Sequence, residues 1–101
     1  MILSNTTFVT DTARADALEQ WLADVYTPAV EQSGLFTGIL AMRILAQAEP
    51  GTVSYAVQKQ CVSPAALRDW ESAEGDCLLS LLTQRFGEQG VLHFTTHMRI
   101  L

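Results

Sequence analysis

The sequence predicts an α+β fold in which strands and helices follow the order β-α-β-β-α-β, with four antiparallel strands in one sheet and two helices on one of its faces. Three observations carry that prediction. Apolar residues recur at helical spacing in two separate segments, a Pro-Gly turn joins two apolar runs between them, and the chain closes on a run that alternates apolar with polar. At 101 residues the chain has the ordinary length of one domain, expected to span residues 1–101, and a chain of this size hides about two thirds of the surface its unfolded form exposes.

Residues 1–10, MILSNTTFVT, are rich in β-branched types and stop at Asp11-Thr12, which supplies an oxygen to cap a helix. This is the first strand. Leu18, Trp21, Leu22, Val25, Tyr26, Ala29 and Val30 then draw one stripe down a helix. Pro28 lies inside the stripe and lacks a backbone donor, so the helix should kink or restart at Thr27-Pro28, and Gly34 ends it. Two apolar runs between Leu35 and Val62, joined by Glu49-Pro50-Gly51 in the order a type II turn prefers, read as a β-hairpin. Ser63-Pro64 pairs a cap residue with a proline suited to a first helical turn. Leu67, Trp70, Ala73, Cys77, Leu78, Leu81, Leu82 and Phe86 continue as the second helical stripe, with a break expected at Gly75-Asp76 and Cys77 expected to be a buried, unreactive thiol. After Gly87 and Gly90 the run VLHFTTHMRIL alternates as a last strand, Leu92, Phe94, Thr96, Met98 and Ile100 against His93, Thr95, His97 and Arg99.

The order of elements is that of a ferredoxin-like sandwich, which buries both helical stripes on one sheet face through right-handed crossovers. On the other face we expect His93, Thr95, His97 and Arg99 beside Gln58 and Gln60, mixed with Leu35, Ile39 and Leu45. Such a mixed face is costly in water, so a homodimer joined through this open sheet face is expected, with Ile39 at the interface.

Composition excludes several classes of partner. The formal net charge of −5 repels phosphate backbones and anionic lipid, so nucleic acid is not an expected partner. No apolar stretch approaches the ~20 residues of a membrane span, and the first five residues lack the start of a signal peptide, which points to a cytoplasmic protein with Cys61 and Cys77 as reduced thiols. Apolar residues are 49% of the chain and charged ones 17%, few enough charges that an interface beyond the monomer core is plausible.

Trp21 to Tyr26-Thr27-Pro28-Ala29-Val30, Gly34-Leu35-Phe36, Glu49-Pro50-Gly51, Ser54-Tyr55-Ala56-Val57-Gln58, Arg85-Phe86-Gly87 and Phe94-Thr95-Thr96 together resemble a family of uncharacterised small bacterial proteins, a domain of unknown function. That family is similar in turn to the dimeric α/β-barrel group of cofactor-free monooxygenases, haem-degrading enzymes and ligand-binding modules. The resemblance implies a fold and a dimer rather than a reaction.

Candidate chemistry is sparse. His93 and His97, the two histidines, stand roughly 13 Å apart along a strand, too far to share one ion with bonds of about 2 Å, so no metal site is expected. Asn5 and Trp70 resemble the Asn and Trp that haem-degrading relatives place near their substrate, yet the second helix has no histidine to ligate iron, and no cofactor is expected. Trp21, Tyr26, Tyr55, Trp70 and Phe94 form either a plain core or the lining of a cavity. In the second case Asn5, Tyr26, Tyr55 and Trp70 are the ligand-binding candidates, an apolar lining with a few orienting polar groups. The expected function is non-catalytic binding of a small apolar ligand by a dimer. The alternative is a cofactor-free enzyme, of monooxygenase or isomerase type, acting on a small aromatic or polyketide-like compound.

Overall fold

The computed structural model describes residues 1–46 and 49–101. Strand β1 (Ile2–Asp11) leads into a first helix made of α1 (Ala15–Trp21), a π-helical turn (Leu22–Tyr26) and α2 (Thr27–Gln32). Strands β2 (Thr37–Ile44) and β3 (Thr52–Cys61) follow, then a second helix made of α3 (Pro64–Trp70), a π-helical turn (Glu71–Gly75) and α4 (Asp76–Phe86), and finally β4 (Leu92–Arg99). All strand pairs are antiparallel, in the order β2-β3-β1-β4, with both helices on one face of the sheet. This is the ferredoxin-like α+β arrangement the sequence predicts.

The local signals operate as expected. Thr52 N–H donates to the Glu49 carbonyl (3.3 Å) with Gly51 at φ +79°, the left-handed conformation that a type II turn assigns to its third residue. Ser63 Oγ accepts from the Ala66 N–H (3.1 Å), with Pro64 opening α3. Asp11 accepts from the Arg14 N–H (2.9 Å), in the turn before α1 rather than as the residue capping it. The first helix restarts at Thr27-Pro28 as expected, α2 beginning at Thr27 with Pro28 in its first turn. The proline's missing donor falls where the π-helical turn has already lengthened the repeat, the usual way a helix absorbs a disrupted ladder.

Both π-helical turns shift the apolar stripe by one position. From Trp70 an unbroken α-helix would next bury Cys77 and Leu81; the wider turn instead buries Leu78 and Leu82. Cys77 and Leu81 are therefore exposed, and the expectation of a buried Cys77 is corrected: Cys61, at the end of β3, is the buried thiol. The core lies between helices and sheet, where Phe8, Val57 and Leu82 meet Leu18, Tyr26 and Val30.

The expected open face needs a larger correction. The register Phe8↔His93, Thr6↔Thr95 and Ser4↔His97 places His93, Thr95, His97 and Arg99 on the same side as the buried Phe8 and Thr6, toward the helices. Leu92, Phe94, Thr96 and Met98 take the other side. Strand β4 is an edge strand exposed along its whole length, so its apolar parity does not identify the side facing the core. In β2, a register shift between Thr37 and Leu40, with Gly38 at φ +59°, turns Ile39 toward the core and sends Leu40, Met42 and Ile44 to the open side. Leu35 precedes the strand and Leu45 follows it. Gln58 and Gln60 are on the open face as expected, opposite Asn5 and Leu3 of β1.

Candidate functional site

Strand β3 alternates Val53, Tyr55, Val57, Lys59 and Cys61 toward the helices, all of them buried. The cation in this series is the anomaly, because a buried lysine is rarely found without a partner. Lys59 is 1% exposed and makes no ion pair among the described residues. Its ammonium lies against two aromatic rings, 5.0 Å from the centroid of Trp70 and 5.3 Å from that of Phe36, within the range of a cation–π contact. The two rings meet edge to face at 5.1 Å.

Beside Lys59 there is a cavity of about 170 Å³, lined from the sheet by Thr6, Lys59 and Thr95 and from the helices by Tyr26, Trp70, Glu71, Gly75, Asp76 and Leu79. Each helix brings its π-helical turn to this space, the first through Tyr26 and the second through Glu71 and Gly75. Gly75 is needed because a Cβ there would stand 3.1 Å from the Trp70 ring, which lies flush on the backbone of the turn. Thr6 and Thr95 share a hydrogen bond of 2.9 Å across the β1–β4 pair, and His97 Nε2 lies 2.9 Å from Glu71 Oε2, joining β4 to the second helix. Among the described residues the buried Trp70 indole N–H has no hydrogen-bond partner, and neither does the Ser4 hydroxyl, on the strand position paired with Lys59.

Burial sets the electrostatics. It pushes the Lys59 amine below its ordinary value, with the Glu71 carboxylate pulling the other way. It pushes the Tyr26 phenol up, a rise that Glu71 reinforces and the nearby Thr6 hydroxyl opposes. A lysine titrating lower in the folded chain than at its unfolded value of 10.5 makes the unfolded state bind more protons in between. Its penalty on stability is then largest at low pH and fades as pH rises toward 10.5. Lys59→Met is accordingly expected to match or exceed the wild-type urea midpoint near pH 7, with the gap narrowing as pH rises toward 10.5. Urea titrations of both proteins across that range check the sign; a gap that widens with pH would refute it.

The four residues singled out from sequence separate. Tyr26 and Trp70 line this cavity. Tyr55 is buried in the same layer but beside a different hollow, with Glu19, Leu22 and Arg43, and its hydroxyl donates to the Ala15 carbonyl (3.3 Å). Burial and Glu19 push its phenol up. Asn5 is on the opposite face of the sheet, where its amide donates to Thr7 Oγ1 (3.2 Å). Sequence reasoning missed Lys59, Thr6, Glu71 and Gly75. For Lys59 the signal was present: once Gln58 and Gln60 are placed on the open face, strand alternation puts Lys59 on the buried one.

A four-stranded sheet in the order β2-β3-β1-β4, two helices over one face and a cavity between the layers define a ferredoxin-like α+β protein. The model of a family described as "Domain of unknown function (DUF4286)" matches residues 1–101, and the chain belongs to that family. No curated protein matches the sequence. Solved structures with the same fold include a Deinococcus radiodurans protein assigned as an antibiotic biosynthesis monooxygenase, 18% identical, with a TM-score of 0.75 over 99% of this chain and 92% of that one. HapK from Hahella chejuensis is 17% identical, with a TM-score of 0.73 over 100% and 93%. A variant of MhuD, holding two manganese protoporphyrin IX molecules per active site, is 16% identical, with a TM-score of 0.68 over 100% and 95%. Among the described residues no three His, Cys, Asp or Glu side chains converge as a metal site would require, and no helix is long and apolar enough to cross a membrane.

Proposed function

We propose that this protein binds a small aromatic ligand in the cavity between sheet and helices, without catalysis, as a homodimer joined through the open sheet face. The observation that carries the reading is the cavity itself, which sets the Lys59 ammonium, without an ion-pair partner among the described residues, beside the rings of Tyr26 and Trp70. A core meant only for packing would fill such a space with aliphatic groups and would not bury an unpaired ammonium. Ligand sites place polar groups beside aromatic ones to orient what they hold. The binding residues are then Tyr26, Trp70, Lys59 and Thr6, while Asn5 belongs to the dimer face and Tyr55 to the core.

Native mass spectrometry of freshly purified protein tests the reading. A bound small molecule, released on acidification and displaced by added aromatic compounds, is the expected result. Protein that carries none, and that no aromatic compound stabilises against heat, would overturn it. A second reading, a cofactor-free enzyme, draws support from the monooxygenase assignment of the Deinococcus neighbour. The same cavity would hold the substrate, with Tyr26, Thr6 and Lys59 as the hydrogen-bonding groups around it. Chemical conversion of a bound aromatic compound on incubation in air would favour it.

A further inference from the structure

The groups facing the cavity are unbalanced in hydrogen bonding. Lys59 brings three N–H donors and no acceptor. The ammonium has no ion-pair partner among the described residues. Of the cavity's three hydroxyls, Thr6 and Thr95 are engaged with each other and the Tyr26 phenol lies near Thr6. The Glu71 carboxylate also lines the cavity, but it is taken up by His97 at 2.9 Å and makes no ion pair with Lys59. Asp76, which also borders the space, is exposed. Among the described residues no carboxylate is in direct contact with the Lys59 ammonium.

Size narrows the class. About 170 Å³ is close to the roughly 150 Å³ of an apolar cavity that holds one benzene ring. Tyr26 and Trp70 supply aromatic walls to the cavity, the Trp70 ring beside the cation.

We propose that Lys59 is the anchor for a carboxylate, and that the ligand is a one-ring aromatic acid whose carboxylate pairs with the ammonium while its ring lies along Trp70 and Tyr26. The carboxylate is acceptor-only, so it satisfies the ammonium, and Lys59 keeps its charge inside the protein because the ligand supplies the opposite one. The inference rests on the cavity being a ligand site and adds the charge of the ligand to it.

Calorimetric titration of benzoate and of its neutral counterpart benzamide into wild-type protein, Lys59→Met and Lys59→Arg separates the two ideas. Wild type is expected to prefer benzoate by about 10- to 100-fold, the range of a buried charge-assisted hydrogen bond. Lys59→Met should lose the preference and bind benzoate no better than benzamide, and Lys59→Arg should retain part of the preference. Circular dichroism of each variant establishes that it is folded. Equal affinities in wild type, or a benzoate preference that survives in Lys59→Met, would overturn the anchor and leave the cavity as a neutral aromatic site. Failure of wild type to bind either compound would overturn the anchor and the ligand site together.

Discussion

Trp70→Ala is expected to destabilise the protein by about 3 to 5 kcal/mol, the range for removing a buried aromatic side chain. Trp70 is 5% exposed, meets Phe36 edge to face at 5.1 Å and lies on the Gly75 backbone, so its ring is part of the layer that holds the second helix to β3. Two effects pull toward the lower end of the range. Deleting the indole removes a buried N–H that the protein leaves without a partner, and it enlarges a cavity that water can then enter to solvate Lys59. Trp70→Phe keeps an edge for Phe36 and a face for Lys59 without the orphan donor, and should lose less. Urea denaturation of the three proteins measures the series. A loss below about 1 kcal/mol for the alanine variant would mean that the ring contributes little to the packed layer.

The order and boundaries of the elements were legible because each rests on a short-range signal. Ser63-Pro64 opens α3, Pro50-Gly51 turns the hairpin, Gly34 and Gly87 follow the helices with positive φ, and these operate whatever the rest of the chain does. The site was only half legible, for two physical reasons. A π-helical turn leaves no compositional mark, yet one extra residue per repeat rotated Cys77 and Leu81 outward and brought Tyr26 and Gly75 to a common space. Parity along a strand gives two sides but not which one faces the helices. On β1 and β3 the side was decided by Phe8 and Val57; on the edge strand β4 nothing decided it, and the apolar side was taken for the core side. Asn5 lies one residue out of phase with the buried Ser4 and Thr6, a side that parity alone does not assign. Lys59 was overlooked because a lysine is ordinarily read as surface, although its neighbours Gln58 and Gln60 already determined its side.

Correcting those parities strengthens the case for association, and the second large effect is expected there: Phe94→Lys should convert a dimer into a monomer. With the histidines turned toward the helices, the open face of β4 presents Leu92, Phe94 and Met98, exposed by 63%, 57% and 42%, and that of β2 presents Leu40, Met42 and Ile44, at 52%, 40% and 39%. Between them β1 and β3 contribute Asn5, Thr7, Ala56 and Gln58, a polar strip flanked by two apolar ones. A two-fold axis perpendicular to such a face sets one protomer's sheet on its partner's, so that the apolar strips are covered and the central amides exchange hydrogen bonds. A monomer would leave six large apolar side chains in water on one surface, more than a soluble chain ordinarily exposes together. Lysine at Phe94 puts an unpaired charge into the covered strip, a cost of several kcal/mol to a buried interface, and Leu40→Lys does the same on the opposite edge. Ile39→Lys, by contrast, strikes the core side of β2 and should reduce folding stability. Leu81→Lys, on the outer face of α4, serves as the control. Light scattering coupled to size exclusion at low micromolar concentration should give about twice the 11.1 kDa chain mass for wild type and Leu81→Lys. The same measurement should give one chain mass for Phe94→Lys and Leu40→Lys. A wild-type mass of one chain at every concentration, or dimers that tolerate both sheet-face lysines, would rule out this interface.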